Sequence, residues 1–334
     1  MSKLRVAVLC GGRTGEHEVS LNSAESVIRV MDPAKYDVQR ILISNDGRWH
    51  PRAIAPEPGG NPDIDVVFPV LHGTFGEDGT VQGLLELADL PYVGAGVLAS
   101  AVSMDKEVQK RLCAASGLPV VEYCVMAVPP PEVSRSSIGV AMFENPAFGF
   151  PMFVKPANLG SSVGISKVKS PEELVNAIAL AAEFDRKVIV ERGINGREFE
   201  CSVLGNDDPQ TSVPCEILPS RDFYDYEDKY LLNKAQTIVP ADLSPTQTRE
   251  IQRLAIACYQ AVECAGMARV DFLLEASTGK FFINEINTIP GFTSISMYPK
   301  MWEASGLPFS ALIDRLIELA LERHRGRRSL RYSR

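Results

Sequence analysis

Strand-like apolar runs alternate with helical stretches over the first hundred residues, and this alternation constrains the fold more than any other feature. LRVAVLC (4–10) is followed by a Gly-rich polar turn and a helix to about Met31. YDVQRILIS (36–44), IDVVFPVLHG (64–73) and the short LPYVGAG (90–96) are the next strands. Strands separated by helices form parallel sheets covered by those helices. The sequence therefore predicts an α/β fold that begins with a parallel sheet.

The remaining chain carries clear helix and hairpin signals. Ser170 with Pro171, and Ser244 with Pro245, are capping pairs at the start of two helices. MARVDFLLE and KFFINEIN flank ASTG, which predicts a hairpin. The Tyr-rich segment 220–236 lacks periodicity and is predicted to be a long surface loop, a kind of loop that is often functional.

Composition excludes several classes of protein. The formal net charge of −8 over 334 residues argues against a nucleic-acid or membrane partner, although local lysines leave a polyanionic small ligand open. Seven cysteines without a C-x-x-C pair indicate reduced thiols and a cytoplasmic location. The N-terminus is too short for a signal peptide, and no apolar window is long enough to span a membrane. We interpret the basic C-terminus, HRGRRSLRYSR, as a solvated tail.

The predicted hairpin carries the strongest chemical signal. If it folds about Thr278, Asp271 lies opposite Glu285 and Arg269 lies opposite Asn287. Opposed carboxylates destabilise a sheet unless a counter-charge is present. Mg²⁺ favours one or two carboxylates together with substrate phosphates, so the hairpin predicts a metal site. The alternative is an edge hairpin that exposes these groups to solvent. Regular alternation directs Asn284 to the opposite face, where it has no assigned role.

Three loops are weaker candidates for binding sites. The Gly-Ser loop after Lys155 can cradle phosphate through its backbone or can be a plain turn. Glu16 either caps the first helix or binds an ammonium group. His72, at the carboxyl end of a strand, contacts a ligand or is structural. The chain lacks G-x-G-x-x-G, H-E-x-x-H, a P-loop and G-x-S-x-G, which disfavours the corresponding enzyme classes.

Six motifs together resemble the D-alanine–D-alanine ligases of the ATP-grasp superfamily. In chain order they are GGRTGEHEVS, LHGTFGEDGTVQG, KPANLGSSVG, FYDYEDKY, MARVDF and NEINTIPGFTSISMYP. The resemblance covers essentially the whole chain. It implies a three-domain ATP-grasp fold with a Rossmann-like N-terminal parallel sheet. The implied domains are a substrate domain (1–104), a central ATP-grasp lid domain (105–191) and a catalytic domain (192–334) with a mobile loop near 220–237.

The resemblance also implies a reaction. ATP phosphorylates the carboxylate of one D-alanine, and the amine of a second D-alanine attacks the acyl phosphate. The products are D-alanyl-D-alanine for peptidoglycan precursors, ADP and phosphate. Because an acyl phosphate hydrolyses in water, the site must close over it. The family further implies two Mg²⁺ ions or Mn²⁺ per site, and a homodimer.

Residue roles follow by matching motifs. The metal ligands are Asp271, Glu285 and Asn287. The ATP-binding residues are Lys106, Lys155 and Lys229 at the phosphates, Glu191 at the adenine edge and Glu198 at the ribose. The catalytic residues are Glu16, Ser161, Tyr230, Arg269 and Gly291. The D-alanine-binding residues are Glu16, His72, Ser296 and Met297.

Other functions stay open. An ATP-grasp ligase that uses D-lactate or D-serine as the acceptor is the nearest alternative. A nucleotide-binding sensor without turnover belongs to a different class, and the full set of metal ligands and the arginine argue against it. A nicotinamide-dependent dehydrogenase is disfavoured by the missing glycine fingerprint.

Overall fold

The strands of the protein form three sheets that follow one another along the chain. The computed structural model describes residues 3–128, 148–160, 163–218 and 236–331. The predicted loop of 220–236 lies outside these residues except for its last position. Residues 132–146, for which the sequence predicts no helix or strand, also lie outside them. Helices and strands alternate as expected for an α/β protein.

The first sheet is mainly parallel, as predicted. Its strands are β1 (Leu4–Gly11), β2 (Tyr36–Ile43), β3 (Trp49–His50) and β4 (Val66–Pro69), in the order β3-β2-β1-β4. β1 pairs in parallel with β2 and β4, whereas β3 is antiparallel. The helices that follow are α1 (His17–Val30), α2 (Thr80–Leu87) and α3 (Val97–Met104).

The predicted strand LPYVGAG is reduced to a single bridge. Tyr92 pairs with Val67 alone. The amide of Val67 donates to the carbonyl of Pro91, and the amide of Val93 donates back to Val67. Gly94 then turns the chain with a φ of +95°, a conformation that glycine adopts without steric cost. The turn ends the pairing after one residue.

The second sheet is antiparallel. Its strands are β5 (Tyr123–Ala127), β6 (Met152–Pro156), β7 (Ser166–Val168) and β8 (Lys187–Arg192), in the order β5-β8-β6-β7. α4 (Lys106–Ala115) precedes this sheet, and α5 (Pro171–Ala181) connects β7 to β8. The predicted cap of α5 is present, because Ser170 Oγ accepts from the Glu173 amide at 3.3 Å. Asp105 caps α4 in the same way.

The third sheet contains the predicted hairpin. Its strands are β9 (Gly196–Gly205), β10 (Gln210–Thr211), β11 (Cys215–Leu218), β12 (Gln236–Ile238), β13 (Gly266–Glu275) and β14 (Phe281–Asn287). The order is β12-β11-β9-β13-β14, and β10 pairs with β9. α6 (Pro245–Ala261) begins with a complete capping box of Ser244 and Gln247. α7 (Met297–Ala304) and α8 (Phe309–Arg328) follow the hairpin.

The last helix of the chain helps to cover the first sheet. Val6 and Phe68 of this sheet share one hydrophobic cluster with Leu312 and Leu316 of α8. All four side chains are fully buried. The two ends of the chain therefore complete one core.

The first residues of the basic C-terminus extend α8, and His324 and Arg327 are partly buried, whereas Arg325 and residues 328–331 are exposed as predicted for a solvated tail. α8 continues through HRGRR to Arg328. The guanidinium of Arg323 donates to the carbonyls of Gly94 and, at 3.0 Å, Tyr92, and lies 4.3 Å from the centroid of the Tyr92 ring. His324 contacts Asp89 at 2.9 Å. The arginines pair with groups more than 200 positions away, which local sequence patterns do not reveal.

Two further observations concern the whole chain. All seven cysteines are free thiols, and Cys113 and Cys258 lie 3.7 Å apart at their sulfur atoms. No helix in the part of the chain that the structure describes has both the length and the apolar character that crossing a membrane requires.

Substitution of Arg323 by Met should destabilise the protein. It leaves two backbone carbonyls without their charged donor, so we expect the free energy of unfolding to fall by about 1.5–3 kcal/mol. Urea denaturation followed by circular dichroism measures this change. Arg325→Met is the matched control, because Arg325 is exposed on the same helix. Equal stability of the two variants would contradict the packing role of Arg323.

Candidate active site

The β13–β14 hairpin has the register that the sequence predicts. Asp271 pairs with Glu285, and Arg269 pairs with Asn287. Asp271 is buried, at 9% exposure, and the Glu285 side chain is 30% exposed. The hairpin therefore does not present both carboxylates to open solvent, and the alternative of an exposed edge does not apply to Asp271.

Arg269 compensates the charge of Asp271. Its Nε and Nη2 atoms donate to the two carboxylate oxygens at 2.7 and 2.6 Å. Glu200, on the neighbouring strand β9, lies 3.3 Å from the same Nε atom. Burial disfavours the charged guanidinium, but Asp271 and Glu200 outweigh burial and hold the pKa of Arg269 well above its usual value. The arginine is thus held rigidly between two carboxylates.

Glu200 is a site residue that the sequence reasoning missed. It pairs directly with Asp271 across β9 and β13. The available signal was its position two residues after Glu198 in a strand, which puts both side chains on one face. The pairing of β9 with β13 joins segments about seventy residues apart, so the sequence alone did not indicate it.

Two lysines approach the hairpin from the second sheet and its preceding helix. Lys106 Nζ donates to the Leu159 carbonyl at 2.6 Å and lies 3.7 Å from Glu285 Oε2. Lys155 Nζ donates to Asn284 Oδ1 at 3.2 Å. Both lysines are buried. The structure therefore places ammonium groups opposite the carboxylates of the hairpin, as a site for phosphates and a metal requires.

Asn284 does not follow the predicted alternation. The register shifts between Asp271 and Phe272, so Asn284 is the additional residue of a β-bulge. Asn284 and Glu285, although adjacent, both contact lysine ammonium groups. Asn284 thus belongs to the site, in contact with Lys155.

Glu191 is enclosed by two lysines. Its carboxylate lies 2.5 Å from Lys155 Nζ and 2.9 Å from Lys110 Nζ. Burial would raise the pKa of Glu191, but the two ammonium groups lower it to about 2. Lys110 was also missed from the sequence, although it lies one helical turn after Lys106 on α4.

Glu16 lies between two glycine-containing loops. A methyl group placed on Gly73 would meet Glu16 Oε2 at 2.7 Å, and one on Gly160 would meet it at 3.4 Å. Glu16 makes no side-chain cap to α1, so the capping alternative is wrong. Glu77 lies in the same region, and burial together with the charge of Glu16 raises its pKa well above the usual value. The loops that carry three predicted motifs therefore converge at Glu16.

His72 is a buried, neutral connector. Its Nδ1 lies 3.1 Å from the Ile289 carbonyl, and its Nε2 lies 3.1 Å from Ser23 Oγ. Ser23 Oγ also accepts from the Phe292 amide at 3.2 Å. Burial lowers the pKa of His72. His72 and Ser23 thereby hold the chain on both sides of Gly291, one of the predicted catalytic residues.

Gly291 and Ser296 face each other. A methyl group on Gly291 would meet Ser296 Oγ at 2.7 Å, so no larger residue fits there without a shift. Ser296 Oγ accepts from the Thr293 amide at 3.0 Å. Met297, at the start of α7, is buried, and its sulfur lies 3.5 Å from that of Cys215.

Four predicted site residues remain, namely Glu198, Ser161, Lys229 and Tyr230. Glu198 is partly exposed on β9. Ser161, Lys229 and Tyr230 lie outside the described residues.

Comparisons with known proteins agree with this geometry. The family model described as "D-ala D-ala ligase N-terminus" matches residues 5–62 and 57–95, and "D-ala D-ala ligase C-terminus" matches residues 112–318. A D-alanine–D-alanine ligase of Solibacter usitatus is 64% identical over 332 residues, which are 99% of this chain and 100% of the relative.

Two solved structures also match. The D-alanine–D-alanine ligase from Coxiella burnetii is 40% identical with a TM-score of 0.84, covering 98% of this chain and 97% of its own. The VanG D-Ala:D-Ser ligase from Enterococcus faecalis is 36% identical with a TM-score of 0.85, covering 96% of this chain and 100% of its own.

The architecture and the two structural matches define an ATP-grasp enzyme, which confirms the predicted fold. Within that class, the chain belongs to the D-alanine–D-alanine ligase family, whose members are ATP-dependent ligases. The resemblance drawn from the six sequence motifs is therefore confirmed.

Removal of Arg269 should take away the guanidinium that lies between the buried carboxylates of Asp271 and Glu200. We expect Arg269→Met to lower the free energy of unfolding by about 3–5 kcal/mol, measured by urea denaturation. Adding Glu200→Gln removes one of the two neighbouring carboxylate charges and should restore part of the loss. Arg253→Met is the control, because its exposed pair with Glu250 should contribute less than about 1 kcal/mol. Similar losses for Arg269→Met and Arg253→Met would rule out the proposed compensation.

Proposed function

We propose that the protein joins two D-alanine molecules at the expense of ATP and thereby supplies D-alanyl-D-alanine for peptidoglycan precursors. One observation carries the proposal. Asp271 and Glu285 are opposed, and Arg269 lies beside Asp271. Lys106 lies 3.7 Å from Glu285, and Lys155 donates to the neighbouring Asn284. Such an arrangement suits a metal-bound triphosphate, and family membership supports D-alanine as the substrate.

The donor set fits magnesium or manganese. Asp271 and Glu285 supply carboxylate oxygens and Asn287 supplies an amide oxygen, which are ligands that both ions favour. Within the described ranges, no group of three or more His, Cys, Asp or Glu side chains is arranged for a metal. The proposed site has two carboxylates, and nucleotide phosphates would complete the coordination. When bound, the metal neutralises phosphate charge during transfer.

The proposed nucleotide contacts pair lysines with the phosphates and carboxylates with the adenine and the ribose. Lys106 and Lys155 bind the phosphates, Glu191 accepts a hydrogen bond from the amino group of adenine, and Glu198 binds the ribose. Lys155 now pairs with Glu191, so the incoming phosphates compete with that carboxylate for its ammonium group. Lys229, in the loop outside the described residues, is proposed to approach the γ-phosphate.

Arg269 is proposed to bind the acyl phosphate and the tetrahedral oxyanion. Its guanidinium is already fixed by two carboxylates, so little reorganisation is needed as charge develops. The backbone N–H of Gly291 supplies a second donor, in the manner of an oxyanion hole. His72 and Ser23 hold the chain around that N–H through the Ile289 carbonyl and the Phe292 amide.

The two D-alanine sites are proposed at either side of this centre. Glu16 holds the ammonium of the first D-alanine, with His72 near its carboxylate. Ser296 binds the carboxylate of the second, and Met297 lies beside its methyl group. Glu16, Ser161 and Tyr230 are proposed to form a hydrogen-bonded set that closes the loop. The position of Glu16 beside Gly160 supports this arrangement, because Ser161 follows directly.

The broader proposals rest on the family. We propose a cytoplasmic homodimer and the domain division 1–104, 105–191 and 192–334. The likeness to a D-Ala:D-Ser ligase keeps D-serine as the second candidate acceptor. Tyr230 favours D-alanine over D-lactate, since relatives that make the ester usually lack tyrosine at this position.

Product analysis tests the activity directly. Incubation of the protein with ATP, Mg²⁺ and equal D-alanine, D-serine and D-lactate should yield D-alanyl-D-alanine as the main product by mass spectrometry. ADP release should require D-alanine. A mixed dipeptide as the main product would assign another acceptor, and ADP release without D-alanine would contradict the proposed ligation.

Glu285→Gln should lower kcat at least about 100-fold, since it removes a charge that holds the metal beside the phosphates. This variant is sharper than one at Arg269, because Glu285 is partly exposed and its ion-pair partner Lys106 keeps a hydrogen bond to the Leu159 carbonyl. Circular dichroism should show a folded protein. Glu303→Gln, at an exposed position on α7, is the matched control. Near-normal turnover by Glu285→Gln would disprove the metal assignment.

A further inference from the structure

Lys110 is a fully buried cation to which the proposed reaction assigns no role. Its side chain has 0% exposure, and its Nζ lies 2.9 Å from Glu191 Oε1. The ring of Tyr123 lies 5.8 Å from the same nitrogen. An isolated buried ammonium is strongly unfavourable, so a lysine without solvent access requires a compensating charge. Glu191 supplies that charge.

The surroundings of Glu191 are almost entirely positive. Lys110 approaches it from α4 and Lys155 from β6, while the phenol of Tyr123 faces it from β5. Cys113, on α4, is the further titratable group near Lys110. Burial lowers the pKa of Lys110, whereas Glu191 raises it. The pair is held together by mutual charge in a site from which water is excluded.

The two lysines around Glu191 differ in what else they contact. Lys155 also donates to Asn284 on the hairpin, and in the proposed function it turns to the phosphates. Among the residues that the structure describes, Glu191 is the carboxylate within ion-pair distance of Lys110. Lys110 therefore stays with Glu191 when Lys155 is engaged elsewhere.

We propose that Lys110 makes the enzyme selective for 6-aminopurine nucleotides by holding Glu191 as a carboxylate at the adenine edge. This inference rests on the proposed role of Glu191 in nucleotide binding. An ionised carboxylate only accepts hydrogen bonds, so it pairs with the amino group of adenine and opposes the 6-oxo group of hypoxanthine. A protonated carboxyl group can donate, and it loses that distinction. Lys110 acts through Glu191 and is a positioning residue.

The test compares ATP with ITP in the full-length protein. We expect Lys110→Met to reduce the ratio of kcat/KM for ATP to that for ITP by roughly 10- to 100-fold near neutral pH. Calorimetric titration with ADP and IDP should give the same change in binding. Because Lys110 stays paired with Glu191, the carboxylate should stay ionised and the native preference should be constant from about pH 6 to pH 8.

The pH profile separates a charge effect from a packing effect. In Lys110→Met, Glu191 loses one cation, its pKa rises, and the preference for ATP should increase with pH as the carboxyl group ionises. Lys110→Arg keeps the charge and should keep the preference. Arg111→Met is the matched control, because this neighbouring cation is exposed and pairs with Glu107. Equal losses for ATP and ITP with a flat pH profile would overturn the proposal.

A variant at Glu191 separates a failure of the role of Lys110 from a failure of the proposed contact between Glu191 and adenine. Glu191→Gln, whose amide both donates and accepts, should lose the preference at every pH. If Glu191→Gln loses it and Lys110→Met retains it, the role of Lys110 is wrong and the adenine contact stands. If Glu191→Gln retains it, the adenine contact itself is wrong. Lys110→Gln, which keeps a donor without the charge, gives the same comparison if Lys110→Met does not fold.

Discussion

The pairing of β13 with β14 is the constraint on which the rest of the site depends. It places the carboxylates of Asp271 and Glu285 opposite each other, the first buried and the second partly exposed. Like charges in that position repel, so the fold is stable only if cations are supplied. Arg269 supplies one from the same strand, and Lys106 approaches the other from α4. The functional residues are thus arranged around two carboxylates, Asp271 and Glu285, whose charges repel each other.

Two charged residues of this region each contact two groups of opposite charge. Arg269 contacts both Asp271 and Glu200, and Glu191 contacts both Lys110 and Lys155. Buried ion pairs contribute little net stability compared with apolar packing, because both charges lose their hydration. Their presence here is therefore better explained by chemistry than by folding.

The sequence predicted the parts of the site that depend on local patterns. The hairpin register followed from the short ASTG connection, and Asp271, Glu285, Arg269 and Asn287 pair as expected. Glu200 and Lys110 were missed, because their roles depend on pairing between distant strands and on packing of α4 against β8. Asn284 was misplaced because a bulge interrupts the alternation of side chains. The start of the basic tail was misread as solvated because Asp89, the partner of His324, lies more than 200 positions away in the chain.

The shared core of α8 and the first sheet has a consequence for synthesis of the protein. Domains generally fold in order as the ribosome releases them, beginning with the N-terminal one. Here Val6, Val8 and Phe68 are buried against Leu312 and Leu316, which emerge last. The earliest strands therefore have one apolar face incomplete until α8 has been synthesised. Contacts over so long a separation also slow folding, since the intervening chain must close first.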